Sequence, residues 1–64
     1  MANFETEVRR ILQDHGCFLV RQGKGDHEIW YSPITFLNFP VPTRIKSRHT
    51  ANEIMKQAGL ADRF

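Results

Sequence analysis

Apolar residues recur along this chain at two periods, and each change of period marks a new element. Phe4, Val8, Ile11 and Leu12 keep the i, i+4, i+7, i+8 spacing of one buried helical stripe. Asn3 can cap that helix, Glu5 and Glu7 suit the positive end of its dipole, and Gly16 can end it. The pattern predicts a helix from Phe4 to Asp14. Cys17 to Gln22 is then rich in strand formers, Gly23-Lys24-Gly25-Asp26 is a turn, and His27 to Ser32 reads as the returning strand of a hairpin. Phe36 to Val41 is a third apolar run, in which Pro40 lacks an amide donor and so belongs in a short or edge strand. Ala51, Ile54, Met55 and Ala58 make a second helical stripe, which Gly59 ends and Leu60 folds back upon. Thr50 and Glu53 have capping-box spacing at its start, after a polar, basic linker from Thr43 to His49. Ala61 to Phe64 reads as a loose tail.

Helix, three strands, helix is an α+β order. It predicts a three-stranded antiparallel sheet with both helices on one face, which buries all the stripes together. Alternation along the second strand puts Glu28 and Trp30 on one face and His27, Ile29 and Tyr31 on the other. Trp30 is the expected core anchor. Trp30, Tyr31, Phe36 and Phe39 are also candidates for stacking on unpaired bases, although core is the commoner place for such residues.

Length bounds the chemistry. A chain of 64 residues supports one domain, over 1–64, with a thin core and no room for an enclosed substrate cavity. Any reaction should take place on an open face and act on something large. Cys17 is the only cysteine, so an intrachain disulfide and a cysteine-based zinc site are both excluded. His15, Cys17, His27 and His49 lack the spacing of metal-ligand pairs, so no metal and no cofactor is expected. There is no cationic-then-apolar leader and no apolar run of about 18 residues, which predicts neither secretion nor a membrane span and a cytoplasmic location.

The formal net charge is only +2, but the charges are unevenly spread. No acidic residue occurs from Ile29 to Asn52, and Arg44, Lys46, Arg48 and His49 cluster inside that stretch. Such a field suits a phosphate backbone or an acidic protein surface; a solvated basic loop is the plain alternative. His49 lies just before the second helix, where free amides can also bind phosphate. His15 closes the first helix, where a structural role at the dipole's negative end is expected.

The Gly23 to His27 turn carries the candidate chemistry. Glycine lets a backbone approach closely, Lys24 can meet a phosphate as a mobile charge, and an imidazole exchanges protons near neutral pH. His27 can therefore take the proton of a ribose 2′-hydroxyl or give one to a leaving oxygen, with cations steadying the phosphorane. An ordinary hairpin turn with an exposed histidine is the alternative on spacing alone.

These residues also carry a resemblance. Lys24-Gly25-Asp26-His27-Glu28-Ile29-Trp30 resembles the stretch Lys-Gly-Ser-His-His-Ile-Phe of the HicA family of mRNA interferase toxins. The segment Ile45 to Leu60 resembles that family's closing helix, and the opening helix running into Gly16-Cys17-Phe18-Leu19-Val20-Arg21-Gln22 also fits. The resemblance implies a fold like the double-stranded RNA-binding domain and a metal-independent endoribonuclease that cleaves mRNA and halts translation. It puts the catalytic role on His27. RNA binding is then expected at Lys24, Gly25, Arg44, Lys46, Arg48 and His49. The implied partner is a HicB-type antitoxin that covers the catalytic face. Asp26 stands where the family has a small Ser, and Glu28 where it has a second His. Asp26 brings negative charge near an incoming phosphate, which either orients His27 or slows the reaction. A non-catalytic RNA-binding module on the same face, and a small adaptor docking an acidic partner, are the alternatives.

Overall fold

A computed structural model describes residues 4–64; Asn3, the expected cap of the first helix, lies outside them. The elements are α1 (Glu5–Asp14), β1 (Phe18–Gln22), β2 (His27–Ser32), β3 (Leu37–Pro42) and α2 (Arg48–Gln57). The three strands form one antiparallel sheet in the order β1-β2-β3. This is the architecture the hydrophobic pattern predicts.

The stripes explain why it closes. Val8 and Leu12 of α1 and Ala51, Ile54 and Met55 of α2 are buried, together with Ala58 just beyond α2. They pack on Trp30, Phe39 and Val41 from one face of the sheet and on Ile45 from the segment after it. Phe4, Ile11 and Leu60 flank this core as half-buried side chains. Trp30 is the core anchor that alternation predicts, and Phe39 joins it. The opposite sheet face has no helix over it. β1 lies largely outside the core: all five of its residues are exposed, and Cys17 just before it is the buried one.

Four local readings change. Phe36 lies in the turn before β3, with a left-handed φ of 61°, and the strand begins one residue later. The cap of α2 is Ser47, whose Oγ accepts from the Thr50 amide at 3.0 Å. A hydroxyl three residues ahead of Thr50 satisfies that orphan amide first, so the predicted Thr50–Glu53 box does not start the helix. Arg48 and His49 therefore occupy the first turn of α2, not a linker. Residues 61–64 are not loose: the Phe64 amide donates to Asn52 Oδ1 at 2.8 Å, and its ring meets Phe4 edge-on at 5.4 Å. At the other end of α2, Gly59 takes φ +79° and the Leu60 amide bonds the Met55 carbonyl at 2.9 Å, the stop expected there.

Both prolines of β3 fit one edge. The Thr43 amide donates to the Asp26 carbonyl at 2.7 Å, just outside the His27–Pro42 pair. That makes His27–Pro42 a non-hydrogen-bonded pair, and by alternation Ile29–Pro40 is another. The missing proline amides thus face outward, where the ladder needs none.

Candidate functional site

His27 opens β2 on the helix-free face. Its neighbours in the strand settle this: Trp30 and Ser32 are buried under the helices, so His27, Ile29 and Tyr31 face the other way. The backbone of His27 is pinned on both sides. Its carbonyl accepts from the Gly23 amide at 2.8 Å and from Gln22 Nε2 at 3.1 Å, while its amide reaches the Lys24 carbonyl at 3.4 Å. The side chain is exposed. The backbone is thus fixed while the imidazole stays open to a large molecule.

The turn before it is open. Gly25 has φ +64°, and a Cβ there would meet nothing within 4 Å. Glycine is thus required by conformation alone, and the space beside it is free for a ligand. Lys24 and Asp26 are both exposed in the same turn.

The basic segment is tied to this turn at one point. The bond from the Thr43 amide to the Asp26 carbonyl holds Arg44 one residue from the turn. Ile45, fully buried, then anchors the segment in the core, so that Arg44 and Lys46 flank it as exposed cations. The N-terminal end of α1 clamps Ile45 from below: Glu5 Oε2 accepts its amide at 2.8 Å, and its carbonyl accepts the Phe4 amide at 2.7 Å. Arg48 and His49 are exposed in the first turn of α2. Among the described residues, no hydrogen bond joins Lys46, Arg48 or His49 to the turn.

Glu28, the other departure from the Lys-Gly-Ser-His-His pattern, points away from the open face. Its Oε1 accepts from Arg9 Nε at 3.2 Å, Arg9 Nη2 at 3.1 Å and Trp30 Nε1 at 2.9 Å. Burial alone would raise its pKa, but the hydrogen bonds from Trp30 and Arg9 and the charge of Arg9 outweigh that, and the net shift is downward. Arg9 Nη2 also donates to the Pro42 carbonyl at 3.0 Å. Glu28 is therefore a strut: it ties α1 to the two strand ends that carry His27 and its partner Pro42. Sequence reasoning missed Arg9 altogether. Its signal was only a cation on the inner side of a helical stripe, which snorkelling explains equally well.

His15 has the structural place expected of it. Its Nδ1 lies 2.9 Å from the Ile11 carbonyl, and its Nε2 lies 3.8 Å from Asp62. Among the described residues, no three metal-ligating side chains converge.

The turn with its histidine, the strand it enters and the closing helix all lie within residues 6–60, which match the family model described as HicA toxin of bacterial toxin-antitoxin. The chain belongs to the HicA toxin family. A HicA chain is the toxin half of a toxin–antitoxin pair, and membership implies an antitoxin as its partner. No curated protein and no solved structure matches this HicA toxin. Among its described residues, no helix is long and apolar enough to cross a membrane.

Proposed function

We propose that this HicA toxin is a metal-independent endoribonuclease that cleaves mRNA in the cytoplasm and so inhibits translation. His27 is its catalytic acid or base. As base, the imidazole takes the proton of a ribose 2′-hydroxyl; the 2′-oxygen attacks the adjacent phosphorus, and the bond from phosphorus to the 5′-oxygen breaks. As acid, it returns a proton to that leaving oxygen. Lys24 meets the charge that develops on the phosphoryl oxygens. Gly25 lets the RNA backbone come close, and Arg44, Lys46, Arg48 and His49 hold the flanking phosphates. A HicB-type antitoxin covers this face when the toxin is held inactive.

The observation that carries the reading is the 2.7 Å bond between Thr43 and Asp26, which holds the glycine turn against the start of the basic segment. That closeness of an exposed imidazole to an exposed cation at Arg44 supports chemistry beside phosphate binding. His27→Ala should lower cleavage of a transcript by about 10²–10⁴-fold, the usual share of general acid–base catalysis. It should also relieve growth arrest on induction. Undiminished cleavage by the variant sinks the role of His27, and cleavage abolished by a chelator sinks the metal-independent route.

One observation favours a second reading. With Glu28 turned to the helices, His27 is the only imidazole in the turn, and Asp26 beside it is negative. A protein that binds RNA there without cutting it would show salt-sensitive binding and no products over hours.

A further inference from the structure

The helix-free sheet face continues beyond His27 into an aromatic surface that the catalytic reading does not use. Tyr31 lies four residues along β2 on the same face, about 13 Å from His27 at the rise of a strand. Phe18 of β1 pairs with Tyr31 across the ladder, and the two rings lie 5.4 Å apart at 40°. Phe18 is 54% exposed. The register of β1 shifts between Leu19 and Arg21, so Arg21 pairs with Ile29. That bulge brings Phe18 and Arg21, three residues apart, onto one face.

The face is chemically one-sided. Phe18, Arg21, His27, Ile29, Tyr31 and Asn38 lie on it, and no strand residue on it is acidic. It combines a cation for a phosphate with π-faces for bases and is continuous with the turn. An ion pair or a covering helix would make this an ordinary half-built core, but neither is present among the described residues. A single strand of RNA, whose unpaired bases alternate with phosphates, matches this combination.

We infer that Phe18 and Tyr31 form a base-stacking subsite, with Arg21 on the neighbouring phosphate, that holds the unpaired strand a short way from the bond His27 cleaves. This rests on the ribonuclease reading and adds where the substrate lies and why it must be single-stranded. A duplex would keep its bases paired and offer no π-face to the rings.

The test measures binding of the parent protein to a short single-stranded RNA of mixed sequence, methylated at its 2′-oxygens so that it cannot be cut. Tyr31→Ala should weaken binding about 5- to 100-fold and Tyr31→Phe should retain it, as stacking does not need the hydroxyl. Abasic sites walked along the strand should weaken binding by the parent at one position and leave Tyr31→Ala indifferent there. A merely structural Tyr31 would show no such coupling to a base. Should Tyr31→Ala not fold, Phe18→Ala on the edge strand and the abasic walk on the parent carry the same decision. Parent-like affinity in the alanine variants, or no base-dependent position, overturns the subsite while leaving cleavage intact. Loss of antitoxin binding with RNA affinity unchanged also overturns it, by giving the face to a protein. A parent that binds no RNA at all brings down the ribonuclease reading itself.

Discussion

Ser32 satisfies three backbone groups with one hydroxyl. Fully buried at the end of β2, it donates to the Ala58 carbonyl at 2.7 Å and accepts from the amides of Ile34 and Thr35 at 3.2 and 3.3 Å. It thereby joins the sheet to the end of α2 and shapes the turn before β3. Removing the hydroxyl leaves a buried carbonyl and two amides without that partner, which costs about 1–3 kcal/mol. Ser32→Ala should lower the midpoint of thermal unfolding by roughly 4–8 °C per kcal/mol lost in a domain of this size, read by circular dichroism. An unchanged midpoint would mean that the turn has repaired itself. His27 is the opposite kind of residue: its backbone is held, its side chain is exposed, and substituting it should cost function without stability. The proposed role of His27 predicts that contrast between opposite ends of the same six-residue strand.

Between elements, the join that matters to the site is Arg9–Glu28–Trp30. Arg9 and Glu28 keep only 21% and 19% of their side chains exposed, so solvent screens the pair incompletely. Because Glu28 titrates lower in the folded protein than in the unfolded chain, it stabilises the fold above the ordinary glutamate pKa of about 4.3 and stops doing so as pH falls through its depressed value. Glu28→Gln should be less stable than the parent at neutral pH, and the gap between the two should close as acid is added. Denaturant midpoints taken from neutral to acid pH, with Trp30 fluorescence as probe, decide it; a constant gap would assign the strut's value to packing. Much at this scale was legible in the sequence. The helical stripes, the hairpin and the placing of Trp30 follow from period alone, since burial on one face forces it. What was not legible depends on partners distant in the chain. Arg9 finds Glu28 nineteen positions away, the bulge in β1 appears only once β2 fixes its register, and Phe64 is held by Asn52 and Phe4. Ser47 and Thr50 were a local ambiguity: two hydroxyls three apart each suit a cap, and only the extended backbone at Ser47 chooses. For the candidate site, sequence marked His27 and the basic residues but could not bring them together. The bond from Thr43 to Asp26, which sets Arg44 next to the turn, is main chain to main chain and leaves no residue signature.

At the scale of the whole molecule, β2 separates two surfaces. One end holds His27, the glycine turn and the basic segment; the other holds the turn and the start of β3, where Ile34, Phe36 and Leu37 are 46%, 75% and 63% exposed. With a net charge of only +2, the chain has no strong overall field, so affinity for a polyanion must come from where its cations lie. This can be tested by salt. Each cation that meets a phosphate of single-stranded RNA releases condensed counterions and adds about 0.7 to the slope of log affinity against log salt. Lys24→Ala and Arg44→Ala should each lower that slope by about this amount, and the double variant by about twice it, since the two residues occupy separate segments. Arg10 is the control: it too is exposed, but it lies on α1 and pairs with Glu7 at 3.3 Å. Arg10→Ala should leave the slope unchanged. If it lowers the slope as much as Lys24→Ala does, the RNA is held by diffuse charge. If it does not, the strand runs through the turn and the basic segment, along the path that brings a phosphate to His27.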